Sequence, residues 1–388
     1  MPFQLPPTGF GDDDEPCDST CLGAAHAGRD DPPPAPERGR LCSAMRYRPI
    51  GRTSISVSEI GFGCWTMGGP NWSSESGASI GWADVNQDDI RAGIKAGLDA
   101  GVNHWDNADI YGNGRAERSL AEMFRTLGVN RDLQVIATKV GHLRGSAIHA
   151  FDPRHIRNQC EQSLRNLRTD RIDIYYFHHG SYVGPGWDRA GNLIPNYDYL
   201  PEAAATMHSL VKEAKVRAVG QSAYSVEDFQ RAVPVLKPDV LQTKANLRYD
   251  DFIRAGSPMQ ALMAEHGCTF VAFGPLDQGI LLDKFDPDHP PAFVQGDYRN
   301  NRKDFVPEVL REVRAKLGQV KARFGATGAN AVDVLSSVAS RWVLAHDHVC
   351  SAIPGFRNER QARCNLTAAA DPPMNPADVN WLRGLFRT

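Results

Sequence analysis

The chain has 388 residues, 41% of them hydrophobic and 23% charged, with a formal net charge of −3. That length accommodates one large barrel or two ordinary domains, and the near-neutral balance offers no general attraction to nucleic acid or to an anionic membrane surface. No apolar run approaches the roughly 20 residues needed to cross a bilayer, and the eight cysteines include no Cys-x-x-Cys pair with histidines at zinc spacing, so no metal is expected and buried free thiols in a reducing cytoplasm are the reading.

In chain order, residues 1–44 differ from the rest. Acidic Asp12 to Glu15, a run of three prolines at 32–34 and weak hydrophobic periodicity read as a disordered extension, or as upstream sequence before a start at Met45. Residues 45–388 read as one barrel domain. Tyr47 to Ile60 holds two short alternating runs about a Gly-Arg turn, which predicts a β-hairpin. Eight apolar runs then follow as strands: Ile60–Cys64, Val102–Asp106, Val135–Val140, Ile172–His178, Ala218–Ser222, Val240–Ala245, Thr269–Gly274 and Ser351–Ile353. Their Val and Ile content suits strands covered on both faces.

Between these runs, apolar residues recur a helical turn apart, as in Ile90, Ile94, Leu98 and in Ile156, Cys160, Leu164. Strands alternating with helices predict an α/β fold: a parallel (β/α)8 TIM barrel with an N-terminal hairpin and an extra C-terminal helix over Val379, Leu382 and Leu385. A doubly wound open sheet is the competitor. It lacks its usual mark here, because Gly61 and Gly63 are not followed by the third glycine of Gly-x-Gly-x-x-Gly. The stretch 180–200 shows no regular periodicity and reads as a long loop forming a lid or wall.

In such a barrel the C-terminal ends of the strands face the active site. Asp106, Lys139 and His178 stand at three of those ends, and Tyr111 lies in the loop after Asp106. An Asp and a Lys within apolar strands are costly unless paired with each other. A tyrosine hydroxyl, ordinarily near 10, becomes a better acid beside an ammonium, and a histidine beside it can hydrogen-bond a carbonyl or relay a proton. The set supplies a proton to an oxygen that becomes negative; no Gly-x-Ser-x-Gly nucleophile elbow or metal-ligand cluster competes with it.

These segments resemble the aldo-keto reductase superfamily along 45–388. H-W-D-N-A-D-I-Y-G (104–112), G-R-A-E-R-S-L (114–120), V-I-A-T-K-V-G (135–141), R-I-D-I-Y-Y-F-H (171–178), R-W-V-L-A-H (341–346) and S-A-I-P-G-F-R-N (351–358) occur in the family's order. The resemblance implies Asp106, Tyr111, Lys139 and His178 as the catalytic tetrad and hydride transfer from a nicotinamide. It implies that Ser222 and Gln242 hold the carboxamide, that Phe273 lies on the nicotinamide ring, and that Gly274, Leu276, Gly355, Arg357, Gln361 and Asn365 contact the cofactor. Three departures stand out: Ala223 where the family usually has Asn, which removes one amide hydrogen bond; Phe273 where many relatives have Tyr; and Gln361 where many carry a basic residue.

The last segment also reads as a phosphate site on physical grounds. Asn358 with Gln361 three residues on would cap a helix, helix N-termini attract phosphate, and Arg357 could bind a 2′-phosphate. With Gln361 and Asn365 matching the cofactor positions that the resemblance implies, NADPH is favoured over NADH. Against this stands the reading of Arg357, Arg360 and Arg363 as a solvated basic face. Trp65, Tyr182 and Trp187 are expected to line the pocket for a small-molecule carbonyl, aldehyde or ketone. Two other functions stay open: an oxidative sugar or alcohol dehydrogenase on the same residues, and a non-catalytic NADP-binding regulatory subunit.

Overall fold

Covered on both faces, the Val- and Ile-rich runs pair into eight parallel strands of a nearly closed barrel, seen in a computed structural model that describes residues 45–73, 76–188 and 190–387. The expectation for residues 1–44 lies outside the described residues. Two short antiparallel strands come first, β1 (Tyr47–Pro49) and β2 (Ser56–Ser58). Ile50, Ile55 and Val57 of this hairpin pack in one cluster with Ala137, Ile174, Val240 and Val271 from the barrel strands. The hairpin thus plugs the end of the barrel at which the strands begin.

The strands and helices then alternate: β3 (Phe62–Gly63), α1 (Gln87–Asp99), β4 (His104–Asp106), α2 (Arg115–Thr126), β5 (Val135–Val140), α3 (Pro153–Leu167) and β6 (Ile172–Phe177). A second hairpin, β7 (Val183–Trp187) and β8 (Leu193–Asp198), interrupts the pattern. It resumes with α4 (Leu200–Lys212), β9 (Val216–Ser222), α5 (Val226–Leu236), β10 (Val240–Lys244), α6 (Pro258–His266), β11 (Thr269–Phe273), α7 (Pro307–Phe324), α8 (Ala331–Leu344), β12 (Val349–Ile353), α9 (Glu359–Ala370) and α10 (Pro376–Arg387). The sheet runs β12-β11-β10-β9-β6-β5-β4-β3. Its ends meet through parallel bridges at Ile60–Ala352 and Gly63–Gly355.

The local sequence explains where helices start. Asn86 Oδ1 accepts from the N–H groups of Asp88 and Asp89 (2.8 and 3.2 Å) ahead of α1, and Asp152 caps α3 with Pro153 at its first position. Such caps satisfy N–H groups that a helix leaves open. The five described cysteines, Cys64, Cys160, Cys268, Cys350 and Cys364, are free and buried.

Each of the eight expected strands is present; Val135–Val140 matches at both ends, and the other seven differ by no more than two residues at either end. The largest change is in the first, where only Phe62–Gly63 is regular. The stretch 180–200 is not a loop: β7 and β8 pair antiparallel across it, with Trp187 opposite Leu193. Gly184, Pro185 and Gly186 hide the strand, because the register shifts between Gly184 and Gly186 and neither face of the ribbon is continuously buried. The alternation that signals a half-buried strand has nothing to act on there.

Candidate active site

The strand ends bring the four predicted residues together. Asp106 ends β4, Lys139 is the penultimate residue of β5, His178 follows β6, and a tight turn after β4 returns Tyr111 over them, its N–H bonded to Ala108 O at 3.1 Å. Lys139 is fully buried and its ammonium uses all three donors: Asp106 Oδ2 at 2.7 Å, Asn107 O at 2.6 Å and the Tyr111 hydroxyl at 3.4 Å. The other Asp106 oxygen accepts from Gln242 Nε2 at 2.8 Å. The rings of Tyr111 and His178 lie edge to face with centroids 5.9 Å apart.

Burial governs the charges. It pushes the Lys139 ammonium down, against the pull of Asp106. It holds His178 well below the ordinary histidine range, with His142 and Lys139 adding to the effect, so His178 is neutral at pH 7. The Tyr111 hydroxyl is pushed well above the ordinary tyrosine range, by burial first and by the Asp106 carboxylate next. This corrects the expectation of a lowered tyrosine. Desolvation of a phenolate outweighs the ammonium, and the resting site holds a protonated phenol next to a cation that can stabilise the phenolate once the proton leaves.

The residues assigned to the cofactor form two groups. Ser222, at the end of β9, and Gln242, on β10, are buried, but the Gln242 amide N–H is already bonded to Asp106. Phe273 closes β11 half-buried, and Leu276 is buried just beyond Gly274, whose carbonyl accepts from Asn246 Nδ2 at 2.9 Å. Around β12 and α9, Asn358 Oδ1 accepts from Gln361 N at 3.0 Å, which is the expected cap. Gln361 Oε1 accepts from Arg357 N at 2.9 Å and Asn365 Nδ2 donates to Gly355 O at 3.1 Å. These two amides brace the turn from within rather than standing free. Gly355 is open, since an added Cβ would meet nothing closer than 3.8 Å.

The arginines divide. Arg360 pairs with Asp333 and Arg363 with Glu359, both at 2.7 Å on the exposed side of α9. Arg357 has no carboxylate within ion-pair distance among the described residues, and burial together with the neighbouring Arg299 disfavours its charge. Two further cations crowd it that sequence reasoning missed. Arg299 is buried on Asp297 through bonds of 2.8 and 2.7 Å, and Lys284, beside Gly279, feels both arginines and has no ion pair among the described residues. Neither lies in a periodic segment, so their only signal was the basic residues of the stretch 277–307. Uncompensated positive charge at a helix N-terminus fits a phosphate group.

The three proposed pocket residues fare differently. Trp65 is half-buried and stacks on Tyr111 at 5.9 Å and 25°. Tyr182 does not face a pocket: it is fully buried, packed on Phe151 and Phe177, and donates to Gln221 Oε1. Trp187 is 57% exposed on β7, and no ring contact joins it to the tetrad among the described residues. The mouth is instead rimmed by residues not singled out from sequence: Tyr298, 4.9 Å from Trp65, and His142 and Tyr224, with centroids 6.5 Å apart.

Residues 59–385 match the Aldo/keto reductase family. The chain belongs to this family. Among curated relatives, a probable voltage-gated potassium channel subunit beta of Oryza sativa subsp. japonica is 26% identical over 346 residues, covering 86% of this chain and 94% of the relative. An NADH-specific methylglyoxal reductase of Escherichia coli is 26% identical over 356 residues, covering 87% and 98%. The solved structure of a glycerol dehydrogenase from Gluconobacter oxydans superposes with a TM-score of 0.66 at 23% identity, over 87% of this chain and 94% of that one, a likeness of fold. As a member of the family the chain is an oxidoreductase of carbonyl compounds that uses a nicotinamide cofactor. No described helix is long and apolar enough to cross a membrane.

Proposed function

We propose that this aldo-keto reductase uses NADPH to reduce the carbonyl of a small aldehyde or ketone, with Tyr111 as the proton donor. The cofactor, when bound, supplies a hydride to the carbonyl carbon. Tyr111, kept protonated by its surroundings, gives its hydroxyl proton to the carbonyl oxygen. Lys139, 3.4 Å from that hydroxyl, stabilises the negative charge left on the phenol oxygen, and Asp106 keeps the ammonium charged and aimed. Neutral His178 hydrogen-bonds the carbonyl and fixes its direction. The observation that carries this reading is the fully used Lys139 ammonium, which ties the carboxylate and the phenol into one unit at the ends of the strands.

Arg357, without a carboxylate partner and joined by Lys284, favours the 2′-phosphate of NADPH. The name of the Escherichia coli relative pulls toward NADH, so the two cofactors are compared directly. The test is steady-state oxidation of NADPH and of NADH with a panel of short aldehydes, alongside reduction of NADP+ with the matching alcohols. Aldehyde-dependent consumption of NADPH that exceeds the alcohol-driven reverse rate is expected. Turnover of neither aldehydes nor alcohols by folded protein that binds NADPH would move the chain to the non-catalytic reading that the channel-subunit relative suggests.

A further inference from the structure

Two residues past Lys139 the backbone turns at Gly141, whose φ of +145° is a conformation that residues with a side chain seldom adopt. A Cβ there would also press on the Phe151 ring at 3.0 Å. The turn sets the following residue, His142, against the functional histidine, with ring centroids 4.5 Å apart and planes inclined by 67°. His142 is exposed at the mouth, on the side of His178 that also carries Tyr224. His178 itself is 94% buried, and its Nδ1 has no hydrogen-bond partner.

The neighbouring His179 is fully engaged. Its Nε2 meets Gly141 O at 2.9 Å and its Nδ1 accepts from the Ser181 N–H at 3.1 Å. His142 bonds only to the His178 backbone among the described residues, which leaves its second ring nitrogen open. Partial desolvation, then His179 and Lys139, bring its pKa down to about 4. At neutral pH the ring is therefore uncharged, and with its N–H on the His178 backbone it offers the other nitrogen as an acceptor.

We propose that His142 is a specificity-determining residue that hydrogen-bonds an oxygen on the carbon next to the reacting carbonyl. The inference rests on the carbonyl-reductase reading above. A carbonyl oxygen held between Tyr111 and His178 leaves a neighbouring hydroxyl or oxo group on the order of a hydrogen-bond length away. On the His142 side a hydroxyl there meets an imidazole nitrogen able to accept from it; on the opposite side of Tyr111 the group meets the carbon face of Trp65, which stacks there. A site that hydrogen-bonds a substrate oxygen rejects the analogue lacking it far more strongly than an apolar pocket rejects an added hydroxyl. The preferred substrates are thus short aldehydes oxygenated at the adjacent carbon.

The experiment compares kcat/KM for lactaldehyde and propanal, which differ by that one hydroxyl, in the parent enzyme and in His142→Phe and His142→Gln. The parent is expected to favour lactaldehyde by tenfold or more. His142→Phe should lower lactaldehyde at least tenfold while leaving propanal within threefold, and His142→Gln, which keeps a donor and an acceptor, should retain part of the preference. A parent enzyme that reduces both aldehydes equally well, or a Phe variant that loses both by one common factor, overturns the role of His142 and leaves the reductase reading standing. A parent enzyme that reduces no aldehyde overturns the reductase reading itself, and this inference with it.

Discussion

Two parts of the barrel mouth treat charge in opposite ways. At β4, β5 and β6 every charge is answered: Lys139 is bonded to Asp106, Asn107 and Tyr111, and Asp106 is bonded to Lys139 and Gln242. At the start of α9, Arg357 and Lys284 carry positive charge without a carboxylate partner among the described residues, and Arg299 beside them has only Asp297. The first part is complete before anything binds and is suited to moving a proton. The second is balanced only by an anion from outside. A closed network keeps its geometry at a cost in desolvation, whereas an open one gives up stability of its own to gain affinity.

The sharpest way to break the closed part is Tyr111→Phe. Loss of the proton donor should cut carbonyl reduction by about 10²–10⁴-fold while NADPH binding, read by fluorescence titration, stays within a few fold. A loss of turnover below tenfold would remove Tyr111 from the chemistry. Next comes Lys139→Met, which leaves Asp106 buried without its cation and should cost about 3–5 kcal/mol of stability. Rate per folded molecule is the deciding readout. If the folded fraction reduces aldehydes as fast as the parent between pH 6 and 9, the ion pair is only structural.

The open part is tested by Arg357→Ala. A lost charged hydrogen bond is worth about 1.5–3 kcal/mol, and the effect should fall on NADPH with little change for NADH. Equal weakening of both cofactors would show that Arg357 only shapes the turn.

A last effect, spread over several pH units, concerns a carboxyl just behind the closed network. Asp109 is 4% exposed; its Oδ2 accepts from Gln159 Nε2 at 3.1 Å, and its Oδ1 has no partner. Burial, and then Glu117, raise it to about 8. Between the ordinary carboxylate range and about 8 the folded state therefore holds a proton that the unfolded chain has lost. Stability from this group falls as pH rises through that window, by at most about 1.4 kcal/mol per pH unit. Asp109→Asn should flatten the decline measured by urea unfolding from pH 5 to pH 8. Parallel curves for parent and variant would show Asp109 already ionised in the folded protein.

The same contrast explains what was legible in the sequence. Asp106, Lys139 and His178 were readable because a polar residue at the end of an apolar strand is conspicuous, and the strand also fixes where its side chain stands. Gln361 and Asn358 were readable as a cap, because capping is a local rule. Tyr182 was misplaced because an aromatic residue after a strand looks the same in sequence whether it lines a pocket or packs beneath a hairpin. His142, Tyr298, Lys284 and Arg299 escaped because tertiary contacts alone bring them to the mouth. The protonation of Tyr111 also escaped: an ammonium neighbour can be read from a motif, but the desolvation that outweighs it cannot.

The short first strand has a consequence for motion. Among the described residues, three backbone hydrogen bonds join the first barrel strand to the last segment, Gly61 N to Ala352 O, Gly63 N to Pro354 O and Ala352 N to Glu59 O, at 2.9, 3.1 and 2.8 Å. Every other neighbouring pair of barrel strands except β3 with β4 has a longer regular ladder. The barrel therefore has a seam, and amide exchange should be fastest along it, because few backbone bonds must open together there. The seam ends at Gly355, the residue next to the turn that carries Arg357. An anion held at that turn would act as a clasp across the seam, so a ligand occupying the mouth would also slow the opening of the barrel wall.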